Sequence, residues 1–129
     1  MTQPGTRPIL VMIGTRPEAI KLAPVVLALR QRGSREVIVC RSGQHRDLLD
    51  GALDSFGLRT DIGLDVMVAG QSLAQLHARL FSGFGALLDE VKPATVVVQG
   101  DTATVVVAAW AAFLARIEVA HVEAGLRSH

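Results

Sequence analysis

Charged residues with the chemistry of an enzyme site follow apolar, strand-like runs of this 129-residue sequence. Arg16 comes soon after the first run, Asp101 after a later one, and Glu123 directly after the last. A guanidinium can bind phosphate oxygens through paired hydrogen bonds, and two carboxylates in one cleft can move protons at carbon. These residue types indicate a phosphate-bearing ligand and proton-transfer chemistry, provided that the fold brings them together.

The elements that must position these residues alternate between short β-branched runs and longer helical patterns. Such runs are typical of buried strands, and helices between them indicate βαβ units. We therefore expect an α/β fold, a doubly wound, Rossmann-like parallel sheet with ligands bound beyond the carboxyl ends of its strands. The expected strands are Ile9–Ile13, Glu36–Cys40, Thr95–Gln99, Glu118–Val122 and a short one around 62–64, and the expected helices lie between Thr15 and Gly33, Arg46 and Phe56, Ser72 and Val91, and Thr102 and Ala115.

The turn after the first strand places Gly14, Thr15 and Arg16 at a helix N-terminus, where free backbone N–H groups and the helix dipole favour phosphate. Thr15 and Glu18 fit the capping-box pattern T-x-x-E. Alternatively, Thr15 only caps the helix and Arg16 is solvated. Lys21, one turn on, either supports a phosphate or a sugar or is a solvated lysine. The motif is neither G-x-G-x-x-G nor a Walker loop, so nicotinamide dinucleotides and ATP are not favoured.

Each of the two carboxylates also has a structural interpretation. Asp101 follows Gly100 and fits a helix N-cap as well as a proton-transfer role. Glu123 and His121 flank Val122 in the last strand, so strand alternation predicts that both point to one face. A glutamate at the end of an apolar strand is costly unless it is paired or functional, which favours a role for Glu123.

The composition narrows the class of protein. A formal charge of +1, one tryptophan and no tyrosine disfavour a nucleic acid partner. The single Cys40 excludes an internal disulfide, no His, Cys and Asp spacing indicates a metal site, and a reduced, cytoplasmic setting is compatible. Residues 1–8 are expected to be a disordered leader. The longest apolar stretch, Val105–Ala115, is too short to span a membrane.

Five ordered motifs in the sequence are Gly14-Thr-Arg-Pro-Glu-Ala-Ile-Lys21, Gly43-Gln-His-Arg46, Gly70-Gln71, Gly100-Asp-Thr102 and His121-Val-Glu-Ala-Gly-Leu-Arg127. Together they resemble the motifs of the non-hydrolysing UDP-N-acetylglucosamine 2-epimerases. The resemblance implies a two-domain, glycosyltransferase-B-like architecture and the interconversion of UDP-N-acetylglucosamine and UDP-N-acetylmannosamine. UDP is eliminated as the proton at sugar carbon 2 is removed, and it re-adds with the opposite configuration at that carbon. The resemblance implies no cofactor, since neither NAD nor a metal is consumed.

The resemblance also implies roles for individual residues and differences between this chain and the family. Ala103 stands where the family commonly has a threonine, so one hydroxyl is absent beside Asp101. The chain ends at His129, so we expect residues 9–129 to be a truncated N-terminal domain that lacks the C-terminal UDP-binding domain and is inactive alone. The full-length protein is expected to be a homodimer. By resemblance the catalytic residues are Asp101 and Glu123, the substrate-binding residues are Gly14, Thr15, Arg16, Lys21 and Thr102, and a regulatory UDP-sugar site includes Gln44, His45 and Gln71.

The sequence leaves other functions open. One is a related enzyme, either a hydrolysing epimerase or one that acts on a diacetamido sugar. Another is a UDP-sugar-binding domain without catalysis. A response regulator is disfavoured because no acidic cluster follows the first strand. The apolar helix from Thr102 to Ala115 is covered either by ordinary burial or by a further helix or dimer partner.

Overall fold

The fold is a parallel sheet of five strands, as the sequence predicts for a doubly wound, Rossmann-like domain, and their order across the sheet is Ile62–Gly63, Val37–Arg41, Ile9–Ile13, Thr95–Gln99 and Glu118–Val122. The computed structural model describes residues 6–43, 46–64, 66 and 68–123, the side chains of 46–48 excepted. The strands are β1 (Ile9–Ile13), β2 (Val37–Arg41), β3 (Ile62–Gly63), β4 (Thr95–Gln99) and β5 (Glu118–Val122), and the helices are α1 (Arg16–Arg32), α2 (Arg46–Asp54), α3 (Leu73–Val91) and α4 (Ala103–Leu114).

Alternation along the central strand β1 divides the core between the two faces of the sheet. Leu10 and Met12 pack on one side with residues of α3 and α4. Val11 and Ile13 pack on the other side with residues of α1 and α2. Because successive strand side chains point to opposite faces, an apolar run of this kind requires helices on both sides of the sheet.

Two element boundaries differ from the sequence prediction. The second strand is displaced by one residue and includes Arg41, which pairs with Ile13 of β1 and Gly63 of β3. The strand was expected to end at Cys40, but Arg41 continues it and is buried. Its guanidinium lies 2.5 Å from the place that a Cβ on Gly63 would occupy, so the glycine makes room for it. The helix α2 ends at Asp54 and not at Phe56.

The start of the chain is tied to the sheet before β1 begins. The backbone oxygen of Pro8 accepts from the N–H of Ala94 at 2.8 Å, and the oxygen of Arg7 accepts from the Arg35 guanidinium at 2.8 Å. Residues 6–8 of the expected disordered leader therefore have packing partners, and residues 1–5 lie outside the described part of the chain.

The apolar helix α4 is buried on one side only. Val105, Val107 and Ala108 pack against the sheet and α3. On the opposite side, a stripe of large apolar side chains is exposed among the described residues, with Phe113 at 74% and Trp110 at 58%. Burial between sheet and helix thus covers half of the helix. We call this stripe, formed by Val106, Trp110, Phe113 and Leu114, the outer stripe of α4.

Within the described residues, no helix combines the length and the apolar character that a membrane crossing needs.

Candidate functional site

The three predicted site residues lie at one edge of the sheet. Strands β1, β4 and β5 are parallel and adjacent. Arg16 begins the helix after β1, Asp101 lies in the turn after β4, and Glu123 directly follows β5. All three therefore stand at the carboxyl ends of neighbouring strands, where ligands of open α/β sheets bind. We call this region the carboxyl edge.

The turn after β4 depends on a glycine. Gly100 has φ +86°, a left-handed backbone conformation that residues with a Cβ rarely adopt. The turn leaves Asp101 exposed, and Thr102, not Asp101, is the N-cap residue of α4. Asp101 is therefore not committed to capping the helix, which was its structural interpretation at the level of sequence.

Glu123 is held by a charged and an amide partner. Its Oε2 atom accepts from Nζ of Lys21 at 2.6 Å and from Nε2 of Gln99 at 2.7 Å. The hydrogen bond from Lys21 is the main cause that lowers the pKa of the Glu123 carboxyl. Burial opposes it, and the positive charge of Lys21 and the hydrogen bond from Gln99 lower the pKa further. Glu123 is thus an ionised hydrogen-bond acceptor at neutral pH.

The prediction that His121 and Glu123 point to the same face of the sheet is wrong. His121 pairs with Val98, whose side chain belongs to the core on the α3 and α4 side, and its Nε2 lies 2.6 Å from the oxygen of Gly100. Glu123 instead contacts Lys21 of α1, on the other side of the sheet. The reason is that Glu123 lies outside the strand with φ +59°, so strand alternation no longer applies to it.

Glu18 is the centre of a polar cluster at the carboxyl edge and has 2% of its surface exposed. Its Oε1 atom accepts from the backbone N–H of Gly14 at 3.1 Å. Its Oε2 atom accepts from the hydroxyls of Thr15 at 2.6 Å and Thr102 at 3.1 Å. The expected capping box is not formed. The Thr15 hydroxyl donates to the Glu18 side chain and caps no backbone N–H, and Glu18 accepts from the N–H of Gly14 and not from that of Thr15. Glu18 therefore links the loop after β1 to the loop after β4.

Close packing between the same loops explains the need for Gly14. A Cβ on this residue would lie 2.2 Å from Oγ1 and 2.8 Å from Cβ of Thr104, in the first turn of α4. Thr104 is fully buried and donates to the hydroxyl of the buried Ser42, at the end of β2. The loops after three strands are thus packed together without space for a side chain at residue 14.

Comparisons with known proteins identify the same family that the five sequence motifs resemble. A family model described as UDP-N-acetylglucosamine 2-epimerase matches residues 9–129. The chain belongs to this epimerase family.

Individual epimerases agree over almost the whole chain. It is 47% identical over 120 residues to UDP-N-acetylglucosamine 2-epimerase of Yersinia pestis and 46% identical over 120 residues to that of Escherichia coli K12. Each alignment covers 93% of this chain and 32% of the relative. The chain therefore spans about a third of the length of the epimerases it matches, given the 32% coverage.

Solved epimerase structures share the fold. The enzyme of Neisseria meningitidis bound to UDP-GlcNAc superposes with a TM-score of 0.87 at 42% identity, covering 93% of this chain and 33% of that one. The enzyme of Methanocaldococcus jannaschii in complex with UDP-GlcNAc and UDP superposes with a TM-score of 0.83 at 32% identity, covering 93% of this chain and 33% of that one.

Several of the residues that sequence reasoning assigned to substrate binding are hydrogen-bonded to a carboxylate of the chain. Lys21 is paired with Glu123, and the donor groups of Gly14, Thr15 and Thr102 are directed to Glu18. Arg16 is exposed at the first position of α1.

The predicted regulatory residues of the epimerase family are only partly within the described chain. Gln44 and His45 lie outside it. Gln71 lies in the loop before α3, where its side-chain oxygen accepts from the backbone N–H of Val68 at 2.6 Å. Among the described residues, its amide nitrogen is buried without a hydrogen-bond partner, and its side-chain hydrogen bond does not reach the carboxyl edge.

Sequence reasoning missed two residues of the candidate site. Glu18 was assigned only a capping role, although its place among the buried Ala19 and Leu22 would have signalled a buried carboxyl. Gln99 ends the apolar strand β4, is 4% exposed and donates to Glu123. A polar residue that ends a buried strand was the available signal. Across residues 6–43, 46–64, 66 and 68–123, no three His, Cys, Asp or Glu side chains form a metal-type group.

Proposed function

We propose that this chain provides the carboxyl-edge half of the active site of an enzyme that interconverts UDP-N-acetylglucosamine and UDP-N-acetylmannosamine. The observation that carries the proposal is the placement of Arg16, Asp101 and Glu123 at the ends of three adjacent strands. Membership of the epimerase family and similarity to a relative bound to UDP-GlcNAc support the choice of substrate.

The proposed reaction needs a cation for the diphosphate and two groups that exchange protons with sugar carbon 2. In the first step the proton leaves carbon 2, a double bond forms between carbons 1 and 2, and the bond from carbon 1 to the UDP oxygen breaks. In the second step the UDP oxygen bonds again to carbon 1, and a proton is delivered to carbon 2 on the opposite face. Atoms and charge balance without an oxidant or a metal.

The described side chains suit these steps. The exposed guanidinium of Arg16 is free to bind the diphosphate in paired hydrogen bonds, and this role also stabilises UDP as a leaving group. Glu123 is ionised and can accept a proton, while Asp101 is exposed in the loop after the adjacent strand β4. Inversion at one carbon requires two proton-exchanging groups, and the carboxyl edge supplies two carboxylates.

The test uses the full-length protein that carries this sequence, incubated with UDP-N-acetylglucosamine in deuterated water. The wild type is expected to form UDP-N-acetylmannosamine with deuterium at carbon 2. Asp101→Asn and Glu123→Gln are each expected to lower kcat by about 100- to 10,000-fold, the range for loss of a general acid or base. Asp89→Asn and Glu90→Gln make the same chemical changes on exposed positions of α3 and serve as controls.

The outcomes separate the alternatives. Near-wild-type turnover by either carboxylate variant would remove that residue from the mechanism. Release of free sugar and UDP would identify a hydrolysing enzyme, and binding of UDP-sugar without turnover would identify a non-catalytic domain. Product carrying no deuterium would exclude proton exchange at carbon 2.

We further propose that the full-length protein is a homodimer with the outer stripe of α4 at its interface. Exposed contiguous apolar side chains are typical of surfaces that another protein covers. Trp110 and Phe113 are large aromatic groups of the kind enriched at the centres of interfaces. Trp110 is already oriented by an edge-on contact with Phe81, with ring centroids 5.2 Å apart.

The remaining assignments are also proposals. We assign residues 9–129 to an N-terminal epimerase domain, and Gln44, His45 and Gln71 to a regulatory UDP-sugar site. We place the protein in the cytoplasm, since a reduced compartment suits a chain with the single Cys40. Burial raises the pKa of that thiol to about 12, so we expect it to be unreactive.

A further inference from the structure

We propose that Glu18 is a positioning residue that couples the diphosphate-binding loop to the proton-transfer loop. This inference rests on the proposed epimerase function. Glu18 contacts Thr15, the residue before Arg16, and Thr102, the residue after Asp101. One buried side chain therefore fixes the immediate neighbours of both groups to which we assign substrate chemistry.

The chemistry of the cluster suits a rigid link. A carboxylate is an acceptor with about four lone-pair sites. Here the Glu18 carboxylate accepts three hydrogen bonds, from the backbone N–H of Gly14 and from the hydroxyls of Thr15 and Thr102. Because Glu18 is 2% exposed, water is a poor substitute for any donor that is lost. The two loops are thus expected to keep one relative position while all three hydrogen bonds are present.

The link changes the roles of residues that the family motif assigns to substrate binding. A threonine hydroxyl has one proton, and those of Thr15 and Thr102 both point to Glu18. The N–H of Gly14 is used in the same way. We infer that these three groups act through the geometry of the loops, and that direct charge contact with the diphosphate falls to Arg16 and, on release from Glu123, to Lys21.

The kinetic test uses the full-length protein and UDP-N-acetylglucosamine. Glu18→Gln keeps the side-chain volume but turns an NH₂ group toward two hydroxyl donors. We expect kcat/KM to fall by about 100-fold, the effect of displacing reacting groups by about 1 Å. Glu90→Gln, the same change on an exposed position of α3, is the matched control.

Breaking the link at Thr102 and breaking it at Thr15 are expected to change different kinetic constants. Thr102→Val frees the loop of Asp101, so kcat falls more than KM changes. Thr15→Val frees the loop of Arg16, so KM for UDP-N-acetylglucosamine rises more than kcat falls. Thr102→Ser restores a hydroxyl at the same place and is expected to recover most of the loss in kcat. In the Glu18→Gln background, Thr102→Val should add little, since both changes break one link.

Amide hydrogen exchange tests the link independently of activity. In Glu18→Gln, exchange in the segment 100–104 should become faster, and Thr102→Val should reproduce the effect while Glu90→Gln does not. If Glu18→Gln fails to fold, the two threonine variants still decide the proposal. Unchanged exchange in 100–104, or fully multiplicative losses in the double variant, would overturn it. A wild type without epimerase activity would instead refute the proposed function, and the exchange result would still stand for the link.

Discussion

The carboxyl edge and the outer stripe of α4 are opposite kinds of surface on one small domain. At the carboxyl edge, polar side chains contact one another across loops, as Lys21 does with Glu123. Along the outer stripe, apolar side chains such as Phe113 are exposed. The comparison teaches that several polar groups at the carboxyl edge are partnered within the described chain, while the large apolar side chains of the outer stripe are left exposed.

The helix N-termini show the same contrast. Helix α3 begins with a complete capping box, in which Ser72 accepts from the N–H of Gln75 and the Gln75 side chain accepts from the N–H of Ser72. The N-cap residues of α1 and α4, Thr15 and Thr102, make no such local bond. Their hydroxyls donate to Glu18 instead. At these two helices the hydroxyls therefore connect the loops after β1 and β4 and do not cap the helix.

The largest effect is expected from Gly14→Ala at the carboxyl edge. The new methyl group would overlap Thr104, which is fully buried, so we expect a loss of about 3 kcal/mol in the free energy of unfolding. Gly85→Ala is the matched control, because no atom lies within 4 Å of its added Cβ in the exposed part of α3. There alanine should stabilise the helix by about 1 kcal/mol. Urea unfolding of both variants measures the difference, and equal stabilities would contradict the close packing of the loops.

The next effect concerns the outer stripe of α4. Phe113→Glu places a charge at the proposed interface, so we expect the dimer dissociation constant to rise about 30-fold, which corresponds to about 2 kcal/mol for a residue at the centre of an interface. Leu27→Glu changes an exposed leucine of α1 and should leave the association unchanged. Sedimentation equilibrium gives both constants. If the wild-type protein is monomeric at high concentration, or if the Phe113→Glu variant dimerises normally, the outer stripe of α4 is not a homodimer interface.

A smaller effect should distinguish the two kinds of helix N-terminus. Ser72→Ala removes the side-chain cap of α3 and is expected to cost about 1 kcal/mol of unfolding free energy. Because the hydrogen bonds of this cap join Ser72 to Gln75 and not to a residue of the carboxyl edge, kcat of the full-length protein should not change. Ser82→Ala, in the middle of the same helix, should not destabilise the protein. A fall in kcat of Ser72→Ala at constant stability would show that the two regions are coupled.

The smallest effect is a shift in the titration of Glu123. Lys21→Met removes the partner that lowers this pKa, so the pKa should rise toward the ordinary value of 4.5. A lowered pKa in the folded state stabilises the protein above the ordinary value, and this contribution is lost as the pH falls through the folded pKa. The stability difference between wild type and Lys21→Met should therefore shrink below pH 4.5.

Carboxyl-carbon NMR titration of Glu123 measures the shift directly. Lys92→Met, which changes the lysine at the C-cap of α3, should leave the titration as it is in the wild type. Identical titration of Glu123 in wild type and Lys21→Met would mean that the ion pair at the carboxyl edge does not form in solution.

Much of the fold could be predicted because it depends on local patterns. The bounds of β1, β4 and β5 are those expected from their β-branched runs. The strand order also follows the expected doubly wound arrangement. The prediction failed where tertiary contacts override residue type, as at Arg41, which continues β2 because it is buried beside Gly63.

The candidate site was predicted in position but not in its contacts. The rule for parallel sheets placed Arg16, Asp101 and Glu123 at one edge, and the structure has them there. The partners of Glu123 could not be read from the sequence, because Lys21 is 102 residues away and Gln99 is 24 residues away. Nothing in the local pattern selects among the distant donors that such a carboxylate could meet.

The sequence by itself determined the alternation of strands and helices, the glycine turns and the edge at which polar residues collect, since these depend on neighbours within a few positions along the chain. Only the tertiary structure decided that Glu18 joins Thr15 to Thr102, which lies 84 residues after Glu18, and that Glu123 turns away from the face of His121. Hydrogen bonds act over about 3 Å. Which groups come within that distance depends on how whole elements pack, and local residue patterns do not encode it.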